Sequence, residues 1–436
     1  MDTRLNFRAV FKLAIPSMAF AILTHGYRVV DQYWSQGISM EAQAAIGSSF
    51  FVVLLFYSLF VVVAGGAGPL IARATGAGDD ERRRRVLGAS LTATVKITLL
   101  VMVIGTLGAD GIAWSVGLSG DTAAAFVTYL QTLSLTILPL AMTPLMDQAF
   151  ISMGDTRTPM KFQALSLALN IVLTPLFIYT LEMGIAGAAI ASNLSRAIST
   201  GGGLWILWQR TGLTRAYLRD TSELRQVTRV GIPIGLGTAS YAGVYVVLLY
   251  VAVSPLGPAY NAALGIGFSA LESISWPAFH GVELALASLV GRALGARRLD
   301  VAWRAIRLTF PIFTLLGIGV TLIFVFFGES LTGLFTESAE VHAAATEYAL
   351  VIGWSQLLVA WECQGEGILA GAGDSSLVFW LSTPFNLLRV PLSWWFAIHM
   401  GYGAVGIWWV INLTTLCKVA GKFMAVKHGR WTRLTL

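Results

Sequence analysis

The sequence of 436 residues has few charged side chains, since only 12% of its residues are Asp, Glu, Lys or Arg, whereas a soluble domain carries roughly a quarter. It has only two cysteines, Cys363 and Cys417, and neither lies in a CxxC or histidine-rich spacing that would indicate a disulfide framework or a zinc site. It also lacks a GxxxxGK[ST] phosphate loop and the HExxH and GxSxG motifs. We therefore expect neither an ATPase nor another catalytic centre, and no cofactor.

Hydrophobic residues are abundant, at 56% of the chain with a mean hydropathy of +0.71. A bilayer accommodates such a chain when each crossing supplies about 20 apolar residues in a helix. Twelve segments are long enough, several of them longer than needed, which predicts tilt or kinks. They lie at about 11–35, 44–72, 86–108, 122–151, 161–181, 184–209, 230–253, 261–290, 308–328, 341–370, 376–398 and 403–423. The sequence therefore predicts an all-α integral membrane protein with twelve transmembrane helices.

The basic residues alternate between connections. Of 29, 25 are assigned to the two termini or to the connections 2/3, 4/5, 6/7 and 8/9, and the remaining four, Arg28, Lys96, Arg196 and Arg389, are assigned to the interior of apolar segments. Positively charged connections stay in the cytoplasm, so we predict an inner-membrane protein with both termini cytoplasmic. The lysines towards the C-terminus are interpreted as markers of that side. The net charge of +6 then has a topological explanation, and no nucleic-acid partner is expected.

The chain repeats itself at an offset of 216 to 219 residues. The matching pairs are Asn170 with Asn386, Pro175 with Pro391, Gly184 with Gly403, Gly187 with Gly406, and Asn193 with Asn412. Such a duplication predicts two six-helix bundles related by a pseudo-twofold axis, with substrate between them. The predicted lobes are residues 1–209 and 230–436, joined by a cytoplasmic linker at 210–229. The matching of Asn193 and Asn412 inside predicted helices indicates a role in helix packing.

Ionisable side chains at membrane depth are costly and are therefore candidates for function. Six acids qualify: Asp31, Asp147, Glu272, Glu283, Glu362 and Glu366. Asp147 and Glu366 occupy equivalent repeat positions and form the sharpest pair, although such acids also cap or bridge helices. Glu283 and Glu362 are weaker candidates because each could lie near a helix end.

Arg28 precedes Asp31 by three residues, so both project from one face of the first helix. A closed ion pair would be structural, whereas a carboxylate whose burial changes would carry a proton or Na⁺. The sequence leaves these alternatives open. His25 and His280 could relay protons but are interpreted as hydrogen-bonded packing residues. The tryptophans of the last outward connection are interpreted as interfacial anchors, at Trp394, Trp395, Trp408 and Trp409.

With these residues identified, the chain resembles the MATE (multidrug and toxic compound extrusion) family over nearly its whole length. The segments that carry the resemblance are KLAIPSMAF, LIARATGAGD, SLVGRALGARR, GDTRTPM, ALNIVLTPLFIY and GIAGAAIAS. No single segment is diagnostic, but their order and duplication together are specific. The resemblance implies a secondary antiporter that exports organic cations and other amphipathic compounds by alternating access, driven by H⁺ or Na⁺.

The family's N-terminal site, carried over by motif, falls on Asp31, Asp147, Asn170 and Ser192. Thr174 stands where many members have a second aspartate, and Asp147 stands where asparagine is usual, which leaves the choice of ion open. The helix 7 acid of other members is missing here, whereas Glu366 matches their helix 10 acid and Glu272 resembles an acid of bacterial relatives.

We therefore predict an antiporter in which Asp31, Asp147, Asn170, Thr174 and Ser192 bind the coupling H⁺ or Na⁺. Arg28, Glu272 and Glu366 are predicted to line the substrate cavity. The expected partners are a small cationic or amphipathic molecule and membrane lipid, with the protein acting as a monomer. The alternatives are a flippase for lipid-linked saccharides, which the intramembrane arginines keep open, a membrane-embedded enzyme, and a passive channel.

Overall fold

A computed structural model describes residues 6–155, 157–295, 298–372 and 374–433, and within these ranges the regular structure is helical, without strands. The first half of the chain forms six long helices. They are α1 (Phe7–Ser35), α2 (Met40–Ala77), α3 (Asp80–Leu107), α4 (Gly120–Leu135 and Leu138–Ser152), α5 (Arg157–Pro175, continued by Leu176–Thr180) and α6 (Gly184–Thr211).

The second half repeats this order. Its helices are α7 (Leu224–Leu248, continued by Leu249–Val253), α8 (Pro258–Gly265, Ile266–Leu271 and Glu272–Gly295), α9 (Leu299–Gly333), α10 (Ala339–Gly353 and Gln356–Gly371), α11 (Ser375–Trp394, continued by Trp395–His399) and α12 (Gly403–His428). Short helices at Ala109–Ser115, Ser254–Leu256, Arg215–Arg219 and Arg430–Arg433 lie between or after them. Each of the twelve predicted segments lies on one of these twelve helices.

The lengths and compositions of these helices suit a membrane. Among the described residues, six helices are individually long and apolar enough to cross, and two bent pairs raise this number to eight. The six are Met40–Ile71, Asp80–Leu107, Arg157–Thr180, Leu224–Leu256, Leu299–Gly333 and Gly403–His428. The chain is an integral membrane protein built of helices.

The duplication is visible in the backbone irregularities. The two segments of α4 meet at a bend of 55°, and those of α10 meet at 51°. α5 and α11 both end in a π-helical turn, at Leu176–Thr180 and Trp395–His399, which are separated by the repeat offset of 219. Bends of the predicted kind are therefore present in α4 and α10, and these bends and the turns of α5 and α11 occur at equivalent places in both halves. The π-helical turns of α7 and α8 have no counterpart in α1 and α2.

Asn193 and Asn412 stabilise these bends. A break frees backbone carbonyls that need a partner at membrane depth. The amide of Asn193 donates to the carbonyl of Leu133 at 3.0 Å, and that of Asn412 donates to the carbonyl of Val351 at 2.7 Å. The predicted packing role of this asparagine pair is confirmed, and its physical reason is that each amide replaces a hydrogen bond lost at the bend.

The chain folds into two compact units that cut across the sequence repeat. The N-terminal unit is Trp34–Val247, and the C-terminal unit is Met1–Tyr33 together with Leu248–Leu436. α1 is thus part of the C-terminal unit, and nearly all of α7 is part of the N-terminal unit. The predicted lobes 1–209 and 230–436 follow the sequence repeat and stay a prediction, whereas the compact units follow contacts between helices.

Glycines explain this grouping. A Cβ placed on Gly66 of α2 would lie 1.9 Å from the carbonyl oxygen of Val227 in α7, and one on Gly231 of α7 would lie 1.7 Å from that of Val62. In the C-terminal unit, a Cβ on Gly281 of α8 would lie 2.5 Å from the backbone nitrogen of Met18 in α1. Only glycine permits such close backbone approach between membrane helices.

Three basic connections of the N-terminal unit contact one another. Arg82 pairs with Glu223 at 3.3 Å, and Arg210 pairs with Asp155 at 2.6 Å. Burial tends to raise the pKa of Asp155, but hydrogen bonds from Thr158 and Arg210 outweigh it and lower the pKa from 3.8 to about 2. The connections α2/α3, α4/α5 and α6/α7 therefore lie together, as the alternation of basic residues predicts.

Candidate functional site

Asp147 lies buried in the second segment of α4. The side-chain amide of Gln163 on α5 donates a hydrogen bond of 2.7 Å to its Oδ2. Its Oδ1 is also buried, and no residue within the described ranges donates to it. A buried carboxylate with one unsatisfied oxygen is a position where a proton or a cation is stabilising.

Asn170, Thr174 and Ser192 form a second polar contact between α5 and α6. The amide nitrogen of Asn170 donates to the hydroxyl of Thr174 at 2.9 Å and to that of Ser192 at 3.0 Å. All three side chains are buried. The Asn170 Oδ1 has no hydrogen-bond partner in the part of the chain that the structure describes, so this cluster also presents a neutral oxygen that is free to accept.

These two polar contacts are neighbours on α5. Gln163 and Asn170 are seven residues apart, which is about 10 Å along a helix, so the predicted residues of the N-terminal unit form an elongated polar strip. Asp31, near the end of α1, is buried but belongs to the C-terminal unit. Its predicted role with Asp147 in cation binding stays a prediction.

The C-terminal unit contains a buried network of acids and lysines. Glu362 on α10 accepts from Lys418 at 2.9 Å and from Lys422 at 2.8 Å, both on α12. Lys422 also bridges to Glu366 at 2.5 Å. The Lys422 side chain is wholly buried, whereas that of Glu366 is 28% exposed. Glu366, predicted to line a cavity, therefore lies at the accessible edge of this network.

Two expectations about these residues are wrong. The count of basic residues places Lys418 and Lys422 with the C-terminus on the cytoplasmic side, but both lie within α12 and are buried in ion pairs. Glu362 was rated a weak candidate because of a helix end, yet it lies within α10 and is shared by both lysines. The reason in each case is that a buried partner of opposite charge stabilises the ion inside the protein.

Glu272 and Arg389 carry opposite charges in the same unit. The hydroxyl of Tyr348 on α10 donates to Glu272 on α8. Arg389 on α11 is buried and donates to the hydroxyls of Thr414 and Thr415 at 2.9 and 3.1 Å. The charges of Glu272 and Arg389 attract each other electrostatically.

Arg28 lies at one end of an aromatic and histidine series. Its Nη1 donates to Nδ1 of His25 at 3.0 Å, so that His25 accepts at this nitrogen. The His25 ring lies 5.6 Å from Trp276, and the Trp276 ring stacks on His280 at 4.7 Å. His280 in turn contacts Glu283 through Nδ1 at 2.9 Å. Both histidines are therefore hydrogen-bonded, as predicted, and they lie in one series of polar and aromatic contacts.

Sequence reasoning missed several partners. Gln163, Tyr348, Lys418 and Lys422 each bind a predicted acid, but only the lysines left a signal, because both fall inside the last predicted apolar segment. Trp394, Trp395 and Trp409 are exposed, and their anchoring at the membrane interface stays a prediction, whereas Trp408 is buried against Tyr348 at 4.8 Å. Cys363 is a buried free thiol, and Cys417 is a half-buried one.

An all-helical membrane protein made of two copies of a six-helix unit, with ion pairs at membrane depth, has the characteristics of a membrane transporter. The chain belongs to the MatE family, whose profile matches residues 16–176 and 233–395, once in each half. This is a family of multidrug efflux transporters. The "Probable multidrug resistance protein YpnP" of Bacillus subtilis is 27% identical over 317 residues, which are 71% of this chain and 69% of that protein.

Two solved structures have the same fold. One, described as the inward-facing conformation of a multidrug resistance MATE family transporter of the MOP superfamily, is 22% identical and covers 95% of this chain and 97% of its own, with a TM-score of 0.84. The other is a MOP superfamily transporter from Pyrococcus furiosus whose description reports a reversed polarity of the binding pocket. It is 22% identical and covers 98% of this chain and 97% of its own, with a TM-score of 0.79.

Proposed function

We propose that this protein is a secondary active antiporter that exports organic cations or amphipathic drugs in exchange for H⁺ or Na⁺. The observation that carries this proposal is Asp147, a buried carboxylate with one oxygen held by Gln163 and the other unsatisfied. An ionised carboxylate in this environment is costly, so the group binds a proton or a cation here and releases it where water has access. That cycle is the minimum required for coupling to an ion gradient.

The predicted coupling residues divide into carboxylates and neutral oxygens, and we assign the two groups different roles. Asn170 lies about 10 Å along α5 from Gln163, and together with its partners Thr174 and Ser192 it supplies neutral oxygens. We assign ion coupling to Asp147 and Asp31, and we assign the polar triad to positioning or to a weaker cation contact. The acids of the C-terminal unit, Glu272 and Glu366, would then favour a cationic substrate.

Orientation belongs to the same proposal. The contacts among the basic connections support placing them on one side, and the positive-inside rule makes that side cytoplasmic. We therefore assign both termini to the cytoplasm of a bacterial inner membrane and propose that the protein acts as a monomer. Cysteine labelling of the connection that contains Arg82 tests this orientation, since modification from outside the cell would contradict it.

The function is tested by efflux from proteoliposomes loaded with tetraphenylphosphonium. We expect an imposed pH or Na⁺ gradient to drive movement of this lipophilic cation. The variants Asp31→Asn and Asp147→Asn should each abolish this gradient-driven movement. Asp121→Asn is the matched control, because Asp121 is exposed in the first turn of α4. If neither gradient moves the cation, or if both variants transport like the wild type, the antiport mechanism is wrong.

A flippase for lipid-linked saccharides is the second candidate, because Arg389, Lys418 and Lys422 put three buried cations into the C-terminal unit. Such cations would suit a phosphate-linked substrate. Antiport is preferred since both lysines are already paired with glutamates and Glu366 remains accessible. Movement of a fluorescent lipid-linked saccharide without any movement of tetraphenylphosphonium would reverse this preference.

A further inference from the structure

The ion network of the C-terminal unit is layered from an accessible edge to a buried base. The base consists of Lys418, Glu362 and Lys422, whose side chains are between 0% and 11% exposed. The edge consists of His280 and Glu366, which are 31% and 28% exposed, together with Glu283, which is 12% exposed and contacts His280. Glu366 is joined to the base by Lys422, so a change of charge at the edge acts on the buried ion pairs.

The edge residues come together from two helices. A Cβ on Gly367 of α10 would lie 3.2 Å from Cγ of Glu283 on α8, which places Glu283 beside the turn that carries Glu366. The charges of these two glutamates repel each other, and His280 interacts with both. Two carboxylates and an imidazole whose charges interact, with His280 in contact with Glu283, form a group that can share one proton.

The charges of the network do not balance. Three carboxylates, those of Glu283, Glu362 and Glu366, face only two ammonium groups, those of Lys418 and Lys422. With neutral His280 the network therefore lacks one positive charge. A buried net charge is costly, so the network is stabilised when a single proton or a single external cation supplies that charge.

The neighbouring charged groups do not supply it. On α1, the Arg28 guanidinium donates to Nδ1 of His25, so that nitrogen carries no proton. Trp276 contacts the rings of both His25 and His280, which puts Arg28 at the far end of this series from the edge. On α11, Arg389 interacts with Lys418, but its charge is offset by Glu272 on α8. The positive charge that the network lacks therefore binds at the edge, where His280 and Glu366 are partly exposed.

An aromatic surface adjoins the edge. Trp276, His280 and Glu283 follow one another at spacings of four and three residues, so they share one face of α8. Trp276 stacks on His280 and is 39% exposed. An exposed indole beside carboxylates suits an organic cation, because its ring attracts the charge and its apolar surface packs against the rest of the molecule.

We propose that His280, Glu283 and Glu366 form a one-charge exchange site, at which one proton is replaced by one monovalent organic cation that packs against Trp276. The inference rests on the proposed antiport function and deepens it by assigning the exchange ratio to a particular site. The two lysines fix that ratio, since they are tethered cations that neutralise two of the three carboxylates permanently. Without them the site would require three external charges.

The test is calorimetric titration of tetraphenylphosphonium into the full-length protein in lipid nanodiscs, at about pH 7 in buffers of different ionisation enthalpy, which counts protons. We expect about one proton released per cation bound by the wild type. Glu366→Gln and Glu283→Gln each remove one negative charge, so each should abolish proton release and weaken binding about tenfold or more. Glu340→Gln, on the exposed first turn of α10, should leave both unchanged.

The outcomes separate this inference from the proposed function. Binding by the wild type without proton release, failure of the wild type to bind, or full release from a folded Glu283→Gln or Glu366→Gln variant would each overturn the exchange site. Because two variants on different helices must behave alike, misfolding of one leaves the other decisive. Proton-linked binding without gradient-driven efflux would contradict antiport alone, whereas normal efflux with unchanged release from both variants would contradict the exchange site alone.

Discussion

The contact between α4 and α6 and its counterpart between α10 and α12 have the same backbone arrangement but different chemistry. In the first, Met146 fills the space left by Gly203, where a Cβ would lie 2.1 Å from the methionine sulfur. In the second, Gly365 leaves space for Lys422, whose Cβ would lie 2.9 Å from a Cβ on that glycine. Met146 and Gly365 are equivalent repeat positions, as are Gly203 and Lys422, so the large and small residues have exchanged helices.

The same exchange separates neutral from charged contacts. Thr143 and Thr200 share a hydroxyl hydrogen bond of 2.9 Å between α4 and α6. Glu362, which is equivalent to Thr143, binds two lysines of α12 instead. The comparison shows that the duplicated backbone holds its bends and asparagine contacts while the centre of each helix pair is free to diverge. The pair α4 and α6 carries Asp147, which has one unsatisfied carboxylate oxygen, whereas the pair α10 and α12 carries the network of glutamates and lysines.

The largest effect should come from removing the central lysine. Lys422→Met removes the ammonium group that pairs with both Glu362 and Glu366. Breaking a buried ion pair costs about 3 to 5 kcal/mol. We expect a large fall in the thermal unfolding midpoint in detergent, with partial recovery when Glu366→Gln is added. Lys427→Met, on the exposed face of the same helix, is the control. Equal stability of the two lysine variants would mean that the network contributes little.

A smaller effect should come from filling the glycine contact of the N-terminal unit. Gly203→Ala pushes a methyl group into Met146 and should cost about 1 to 3 kcal/mol. Met146→Ala should restore most of that loss. Gly201→Ala, on the same helix with no neighbour within 4 Å of its Cβ, should instead stabilise by about 0.5 to 1 kcal/mol. The exchange of large and small residues would lose its support if both alanines had the same effect.

The smallest effect concerns the loop that precedes α5. Asp155 accepts from the backbone nitrogen of Thr158 and from Arg210, and Asp155→Ala should cost about 1 kcal/mol. Because the folded pKa of about 2 lies below the usual 3.8, its contribution is complete above pH 4 and is lost as the pH falls towards 2. Unfolding curves across that range should therefore converge for wild type and variant. A constant difference would contradict the ionic origin.

Hydropathy and repetition predicted the architecture because both are local or additive signals. The twelve apolar segments became twelve helices, and matching residues such as Asn193 and Asn412 acquired the same contact. The grouping of α1 and α7 could not be predicted in this way. It depends on close backbone contacts at Gly66, Gly231 and Gly281 between helices that are far apart in the sequence. The local pattern of hydrophobic residues contains no information about such contacts.

The candidate site was predictable as a set of acids but not as a network. Glu366 and Asp147 stood out because a charge at membrane depth is rare. Gln163 is neutral and common in helices, so nothing marked it as the partner of Asp147. Lys418 and Lys422 were assigned to the cytoplasmic side because the same residue type also sets topology, and only the position of their partners on α10 distinguishes the two roles.

The central claim is that cargo and coupling ion exchange across one membrane through buried carboxylates. It is tested most directly by recording the internal pH of proteoliposomes with a trapped dye while tetraphenylphosphonium is added outside, with no gradient imposed beforehand. Coupling is reciprocal, so inward movement of the cation should drive protons out and raise the internal pH in the wild type but not in Asp147→Asn. An unchanged internal pH, with tetraphenylphosphonium entering and no Na⁺ counterflow, would contradict the account.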